Sequence, residues 1–219
     1  MVKLIAFDLV GTLIRGKIFS DARSAIRINF DDEWQEAETA SAFSSHFNYE
    51  IVFRYWLDHV LIKSVYQQFQ SYLLDHTLEY LYKDTVPTLT KLQGLGVRLG
   101  FVTDGNSEVE GQMIRTILRQ CKINPDECTI VCGDKVKSNK AQGQPFKRLV
   151  EQADSLGILR EDIIFVGDKP EVDMRGAKKA ELTTVLIRRE LSTEAPEEAP
   201  EDAPDHRISG LEELLNLVK

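Results

Sequence analysis

The sequence has few cysteines, no long apolar run and no excess of positive charge. Its three cysteines are odd in number and have no neighbouring histidines, so we expect free buried thiols rather than a zinc site. The chain contains no run of about 18 apolar residues, which argues against a membrane span. Asp8 interrupts the N-terminal apolar run before it reaches the length of a signal peptide. These absences predict a cytoplasmic protein without a membrane partner.

The balance of charge narrows the class of partner. The 219 residues include 27 Lys and Arg against 35 Asp and Glu, which gives a formal net charge of -8. A general nucleic-acid binder would carry a basic face, so we expect no nucleic-acid partner. The length allows one large domain or two small ones with a proper core. If such an acidic protein handled an anionic substrate, its site would need a metal ion or a few local cations.

A short apolar run near the N terminus is the first indication of a site. Residues 4–7 are apolar, Asp8 follows them directly, and Gly11 marks a turn. This pattern predicts a strand buried on both faces, as in a parallel sheet. Open α/β sheets bind their ligands at the carboxyl ends of the strands. A carboxylate there loses hydration and needs a partner such as a metal ion or a lysine.

The segment of residues 21–82 contains no convincing strand and several helical patterns rich in aromatic residues. It is too long for a simple crossover, so it is better explained as a small helical domain inserted after the first strand. We therefore predict a core domain of residues 1–14 and 84–219 and a helical cap domain of residues 15–83. The predicted cap helices run from about residue 31, from 49 to 63 and from 64 to 82.

After residue 84 the pattern alternates between helix and strand, which predicts βαβ units and a parallel sheet. The three Ala-Pro repeats and many acids of residues 190–206 cannot pack a core, and they predict an exposed loop. The strands are expected at 97–103, 128–132, 163–166 and 183–187. The helices are expected at 85–95, 107–121, 145–156 and 171–180, with a short amphipathic one at 211–218 that docks on the sheet.

Several polar residues lie where these predicted strands end or loops begin. Thr103 ends one strand, Asp168 ends another, Asp173 follows five residues later, and Lys140 lies in the loop before a helix. In a parallel sheet these positions converge with Asp8 on one edge. Carboxylates, a hydroxyl and a lysine on one edge predict a site for Mg²⁺ and a phosphoryl group, because Mg²⁺ prefers a few carboxylates with waters and substrate oxygens.

These residues resemble the four motifs of the haloacid dehalogenase-like (HAD) hydrolase superfamily, in the same order along the whole chain. The family's first motif is a strand ending in Asp-x-Asp-x-Thr, and its second is an apolar strand ending in Thr or Ser. Its third is a lysine, often six residues before Phe or Tyr, and its fourth is Gly-Asp with a second Asp five residues later. The matching residues here are Asp8-Leu9-Val10-Gly11-Thr12, Thr103, Lys140 with Phe146, and Gly167-Asp168 with Asp173.

The resemblance implies a Rossmann-like parallel sheet with helices on both faces, a helical cap, and a role for each matching residue. Asp8 would be the nucleophile that forms an aspartyl-phosphate, and Thr103 and Lys140 would hold the phosphoryl oxygens. Mg²⁺ would be the cofactor. Its ligands would be Asp8, the backbone carbonyl of Val10 and Asp168, supported by Asp173. The residues expected to contact substrate are Thr12, Asp104 and Gly105.

Val10 departs from the family pattern. Phosphatases of the family carry an aspartate there, which protonates the leaving alcohol and then activates water. General acid–base catalysis is typically worth about 10²–10⁴ in rate, and a valine side chain cannot supply it. The resemblance therefore predicts a Mg²⁺-dependent phosphatase that acts on a small phosphorylated metabolite and hydrolyses its aspartyl-phosphate slowly.

Other functions stay open at this point. A 2-haloacid dehalogenase also lacks the second aspartate, although dehalogenases usually carry Tyr there and need no metal. A phosphonatase-like enzyme would need a Schiff-base lysine in the cap, where the candidates are Lys17 and Lys63. The third alternative is a non-catalytic binding or regulatory protein on a disabled scaffold. The cap residues considered as a surrogate acid or base, or as phosphate contacts, are His46, His59, His76, Arg15, Arg23, Arg27 and Arg54.

Overall fold

The computed structural model describes residues 2–27, 60–189 and 199–218. None of the helices in these ranges is long and apolar enough to cross a membrane. The helix predicted from about residue 31, and most of the one predicted from residue 49, lie outside the described residues.

The chain divides into two compact units. The larger unit comprises Met1–Arg15 and Thr77–Lys219, and the smaller one comprises Gly16–His76. The larger unit contains a parallel sheet in the strand order β3-β2-β1-β4-β5-β6, which confirms the predicted Rossmann-like sheet. Its strands are β1 Leu4–Phe7, β2 Arg98–Thr103, β3 Thr129–Cys132, β4 Ile163–Gly167, β5 Thr183–Ile187 and β6 His206–Ile208.

The central strand β1 is buried along its whole length. Because successive side chains of a strand point to opposite faces, its alternate residues enter two different apolar layers. Leu4 and Ala6 belong to the apolar cluster that contains Phe146 and other residues of the helix Gln144–Ser155. On the opposite face Phe7 packs beside Phe101 of β2, with ring centroids 6.0 Å apart. Burial on both faces explains why the run is almost wholly apolar.

The predicted helices of the larger unit are present, with ends shifted by a few residues. The segment predicted at 171–180 begins as a π-helix and continues as an α-helix, and the C-terminal segment is a 3₁₀-helix whose Leu211 and Leu214 are buried. The α-helices are Thr85–Gly94, Glu110–Gln120, Gly133–Val136, Gln144–Ser155 and Arg175–Lys179, the π-helix is Pro170–Met174, and the C-terminal 3₁₀-helix is Leu211–Asn216.

Two loop predictions need correction. The segment before the helix Gln144–Ser155 is not irregular, because it contains the helix Gly133–Val136 and a 3₁₀-turn at Lys140–Gln142. The acidic Pro-rich segment is not exposed throughout its described part: Asp202 is 4% exposed and strand β6 follows. Asp202 is buried because Arg175 pairs with both of its carboxylate oxygens, a tertiary contact that composition does not reveal.

The smaller unit contains the helices Lys17–Arg27 and Val60–His76. One helix therefore crosses the break predicted at residues 63 and 64. The first helix buries Ile18, Ala22 and Ile26 at intervals of four residues, and it contacts the second through Phe19 and Phe69, whose ring centroids are 6.4 Å apart.

All three cysteines are free thiols, as predicted; Cys121 and Cys132 are buried and Cys128 is half-buried.

Candidate active site

The register of the parallel strands brings the predicted site residues to one edge of the sheet. Phe7 of β1 is paired with Phe101 of β2 on one side and with Val166 of β4 on the other. Asp8 lies one residue beyond this level, and Thr103 and Asp168 lie two residues beyond it. The strand order reverses direction at β1, and such a switch point is where open α/β sheets bind ligands.

The turn after β1 depends on Gly11. The Asp8 N–H donates to the Val166 carbonyl at 2.8 Å, which fixes the start of the turn on β4. Gly11 has φ +90°, a left-handed conformation that favours glycine. A Cβ at this position would also overlap the carboxylate of Asp168. A glycine at position 11 therefore allows the turn of the first motif to form and leaves room for the Asp168 carboxylate of the fourth motif.

Lys140 is the cation of the site. Its ammonium group is buried, 2.5 Å from Asp8 Oδ1 and 2.6 Å from Asp173 Oδ1. Burial alone would lower the pKa of Lys140, but Asp173 and Asp8 raise it well above its ordinary value. Lys140 is therefore a fixed positive charge between two carboxylates.

The backbone around Lys140 explains how the lysine reaches so deep. Asp104 Oδ1 accepts a hydrogen bond of 2.6 Å from the Lys140 N–H, which ties the third motif to the second. Gly176 lies where the chain crosses this turn, and a Cβ there would overlap the Lys140 carbonyl and the ring of Phe146. Phe146 is itself buried edge-on against Phe165 of β4, with centroids 4.7 Å apart. The lysine is thus held by packing as well as by its ion pairs.

Three carboxylates meet beside this lysine. Asp8, Asp168 and Asp173 each place one oxygen within 4.8 Å of the others, the one such group of potential metal ligands within the described residues. Burial, and then the neighbouring Asp173, raise the pKa of Asp168 to about 6. Burial likewise raises the pKa of Asp8 well above its ordinary value, against the opposing effect of Lys140. Two buried carboxylates and one half-buried carboxylate beside a single ammonium carry an excess of negative charge when they are ionised.

The three carboxylates differ in how many of their oxygens are engaged. Asp173 Oδ2 accepts the N–H groups of Asp168 and Lys169 at 3.1 and 3.0 Å, while its Oδ1 faces Lys140. Asp168 Oδ1 is buried and has no hydrogen-bond partner in the part of the chain that the structure describes. Because buried polar atoms almost always have a partner, this orphaned oxygen fits a site for a divalent cation.

Thr103 has a partner that the sequence did not lead us to expect. Its hydroxyl donates to Oε2 of Glu110, the first residue of the helix Glu110–Gln120, and accepts the Gly105 N–H at 3.2 Å. Burial raises the pKa of Glu110. Acidic residues are common in the first turn of a helix, so Glu110 carried no distinctive signal in the sequence.

The remaining predicted residues of the core unit lie around this cluster. The side chain of Thr12 is fully buried, and its hydroxyl has no hydrogen-bond partner within the described ranges. Its carbonyl accepts a hydrogen bond from Arg189 Nε at 3.2 Å. Asp104 is exposed and holds the Lys140 backbone, and Val10 is half-buried.

The candidates from the predicted cap have their own local contacts. Lys17 pairs with Asp21, and the His76 ring lies 4.3 Å from that of Tyr72. Arg15, which belongs to the larger unit, lies over Tyr80, and its guanidinium donates to the Glu79 carbonyl. His46, Arg54 and His59 lie outside the described residues, as do the side chains of Arg27 and Lys63.

The chain is similar in sequence to known hydrolases. Residues 2–181 match the family described as haloacid dehalogenase-like hydrolase. The glyceraldehyde 3-phosphate phosphatase of Methanopyrus kandleri is 30% identical over 63% of this chain and 56% of its own length. The enzyme of the same name from Methanocaldococcus jannaschii is 23% identical over 100% of this chain and 98% of its own. The chain thus spans little more than half of the first relative.

Solved structures show the same fold. The HAD-hydrolase YfnB from Bacillus subtilis, bound to magnesium, has a TM-score of 0.73 at 19% identity, covering 100% of this chain and 99% of its own. A 2-haloacid dehalogenase from Pseudomonas syringae has a TM-score of 0.69 at 18% identity, covering 100% and 98%. Since hydrolases of different chemistry share this architecture, the activity must be argued from the residues of the site.

Proposed function

Since the chain belongs to the haloacid dehalogenase-like hydrolase family, we propose that it is a Mg²⁺-dependent phosphatase of small phosphorylated metabolites. The observation that carries this proposal is the cluster of Asp8, Asp168 and Asp173 around Lys140. Its excess of negative charge calls for a cation before it can receive an anionic phosphate ester. The phosphatase names of the two archaeal relatives support the same conclusion. A cytoplasmic location stays a prediction.

Asp8 and Asp168, with the backbone carbonyl of Val10, are the groups that would hold Mg²⁺. Asp168 supplies the buried oxygen that has no partner among the described residues. Asp173 Oδ2 accepts two backbone N–H groups. Its Oδ1 lies 2.6 Å from the Lys140 ammonium as an ion pair, without a partner of hydrogen-bond geometry among the described residues. Its proposed role is to hold the turn that presents Asp168. When bound, Mg²⁺ would offset the charge of the carboxylates and withdraw electrons from the phosphoryl group.

Asp8 is the proposed nucleophile. Lys140 fixes Oδ1 at 2.5 Å, which leaves Oδ2 to form a bond to phosphorus while the ester P–O bond breaks and the alcohol leaves. Water then hydrolyses the aspartyl-phosphate, which restores the carboxylate and releases inorganic phosphate. Thr103 and Lys140 are the proposed donors to the phosphoryl oxygens, and the fold holds both side chains at this edge of the sheet.

Val10 shapes the proposed kinetics. A half-buried hydrocarbon can neither protonate the leaving alcohol nor activate water, although its backbone carbonyl remains available. We expect substrates with good leaving groups to phosphorylate Asp8 readily and the hydrolysis of the intermediate to limit turnover. Glyceraldehyde 3-phosphate is the first natural ester to test, because both archaeal relatives carry its name.

The experiment that tests this proposal is a panel of phosphate esters and 2-haloacids, assayed with Mg²⁺ and with EDTA. The panel includes p-nitrophenyl phosphate and glyceraldehyde 3-phosphate. We expect phosphate release that requires Mg²⁺. Halide release that persists in EDTA would instead establish a dehalogenase. No turnover of any compound, with no phosphate incorporated into the protein, would establish a non-catalytic binding protein.

A further inference from the structure

A carboxylate without a role in the proposed chemistry lies at the phosphoryl-binding side of the site. Glu110 Oε2 accepts a hydrogen bond from the Thr103 hydroxyl, and the Gly105 N–H, which donates to the same hydroxyl at 3.2 Å, lies beside the Glu110 carboxylate. A Cβ at position 105 would overlap all three terminal atoms of this side chain. The carboxylate therefore lies directly on the backbone of the turn after β2, where a larger residue would exclude it.

The groups around Glu110 form a subsite for an anion. The Thr103 hydroxyl donates to its carboxylate, the backbone N–H of Gly105 lies beside it, and the positive charge of Lys140 acts on it as well. Phosphoryl oxygens are bound by donors of these kinds. A carboxylate and a phosphoryl oxygen cannot both accept the Thr103 hydroxyl proton and fill the space beside Gly105, and they would also repel each other.

We propose that the Glu110 carboxylate occupies the phosphoryl-oxygen subsite of the free enzyme, and that phosphate binds there only when this carboxylate is displaced or protonated. Glu110 is then a residue that determines affinity, because each phosphate ester must compete with it for Thr103 and Gly105. This inference rests on the proposed function, since it requires that subsite to receive phosphate. It adds an internal competitor that the four motifs do not contain.

The competition depends on pH. The titratable groups that act on Glu110 are Asp104, Lys140 and, from β3, Cys132. Burial raises the pKa of Glu110, hydrogen bonding to Thr103 and the charge of Lys140 lower it, and Asp104 raises it, with a raised pKa as the result. Below that pKa the neutral carboxyl competes weakly and can donate to a phosphoryl oxygen; above it the carboxylate competes fully. Phosphate binding is therefore linked to proton uptake, and Glu110 weakens it as the pH rises.

The test is calorimetric titration of the Mg²⁺-loaded protein with inorganic phosphate between pH 5.5 and 8.5. Glu110→Ala removes the competing group, and Glu110→Gln keeps its shape without its charge. Glu108→Gln is the matched control, because Glu108 lies two residues earlier and is exposed. Phosphate itself titrates in this range with all four proteins, so the informative quantity is the ratio of each variant's affinity to that of the wild type at each pH.

We expect Glu110→Ala to bind phosphate about tenfold more tightly than the wild type at pH 8, because the anion no longer replaces hydrogen bonds to a charged group. The gain should be smaller for Glu110→Gln, should shrink as the pH falls, and should be absent in Glu108→Gln. Titrations of the wild type in buffers of different ionisation enthalpy should show more proton uptake than the same titrations of Glu110→Ala.

The outcomes separate this inference from the function on which it rests. Wild-type binding with no tighter binding in either Glu110 variant at pH 8 would overturn the competition and leave the phosphatase proposal intact. A gain that stays constant with pH, with equal proton uptake, would overturn the protonation step. An absence of phosphate binding in the wild type and in every variant would overturn both, because the subsite would then not receive phosphate.

Discussion

Two groups of charges in the larger unit, one largely buried and one half-buried, differ in how their charges are balanced. At the carboxyl edge of the sheet, three carboxylates share one lysine, and the pKa of Asp168 is raised to about 6. Elsewhere Asp84 faces Arg189 at 2.6 Å and accepts the Leu211 N–H at 2.7 Å. Burial alone would raise the pKa of Asp84, but the hydrogen bonds from Arg189 and Leu211 hold it below its ordinary value. The first group is short of positive charge. In the second, one carboxylate is balanced by one guanidinium, although Asp84 Oδ1 has no hydrogen-bond partner among the described residues.

This difference separates a site from a structural tie. An ion pair whose charges balance gains little from a further charged ligand, and loss of one of its partners costs stability. An unbalanced buried cluster is costly to the fold and is expected where a charged ligand completes it. Arg189 also donates to the Thr12 carbonyl and lies with its guanidinium carbon 4.0 Å from the centroid of the Tyr82 ring. It therefore anchors the far end of the turn whose near end carries Asp8.

The largest expected effect tests whether the unbalanced cluster is catalytic. Asp8→Asn should lower Mg²⁺-dependent release of phosphate from p-nitrophenyl phosphate by about 10³-fold or more, because an amide cannot attack phosphorus. Incorporation of phosphate into the protein should disappear with it. Asp154→Asn removes the same charge from an exposed position of the helix Gln144–Ser155 and should leave the rate unchanged. Equal turnover in wild type and Asp8→Asn would refute the nucleophile assignment.

The second prediction tests the balanced pair of Arg189 and Asp84. Arg189→Met should lower the free energy of unfolding by about 2 kcal/mol, because it leaves the half-buried Asp84 carboxylate without its cation. Arg148→Met is the control: its ion pair with Glu151 is half exposed and should be worth at most about 0.5 kcal/mol. Urea unfolding measures both.

A double variant sharpens this result. Arg189→Met combined with Asp84→Leu should recover much of the lost stability, since it removes the unpaired charge as well. If the single variant were as stable as the wild type, the pair would not be the structural tie described above, and the contrast between the two charged regions would fail.

The sequence allowed the fold and most of the cluster to be predicted, for identifiable physical reasons. A strand buried on both faces must be almost wholly apolar, so β1 and β4 could be predicted from the sequence. The polar residues that follow them stood out against these apolar runs. The ion pair Arg175–Asp202 could not be predicted, because its residues are far apart in sequence and Asp202 lies in a segment dominated by Pro and acidic residues. Glu110 was missed because only the folded turn at Gly105 brings it to Thr103.

The third prediction concerns general acid–base catalysis, which the cluster of carboxylates and Lys140 does not supply. Val10→Asp should raise the turnover of an alkyl phosphate by about 10- to 100-fold, because it would provide a group to protonate the alcohol and activate water. The gain should be smaller for p-nitrophenyl phosphate in the first step, since its leaving group needs no proton. Rapid quench separates phosphorylation of Asp8 from hydrolysis of the intermediate. Unchanged rates for both steps would show that another residue already acts as acid and base.

The smallest expected effect is the change in stability caused by the excess negative charge of the cluster. An aspartate whose pKa is about 6 in the folded state and about 3.9 when unfolded binds more protons folded than unfolded between these values. The stability it contributes is therefore present at low pH and is lost as the pH rises from about 4 to about 6. Asp168→Asn cannot titrate, so at pH 7 without metal it should be more stable than the wild type by about 1 kcal/mol, and the advantage should vanish near pH 4.

Addition of Mg²⁺ should reverse that order. The wild type should gain stability at pH 7 by mass action, because the cation binds only the folded cluster. Asp168→Asn has lost one carboxylate oxygen and its negative charge at the cluster, so it should gain little. Thermal unfolding with and without Mg²⁺ at pH 4, 5.5 and 7 measures both effects. The same change applied to the balanced pair, Asp84→Asn, should be destabilising at pH 7 and indifferent to Mg²⁺. If Asp168→Asn behaved like Asp84→Asn, the cluster would be a structural tie of the same kind and the case for a metal site would be lost.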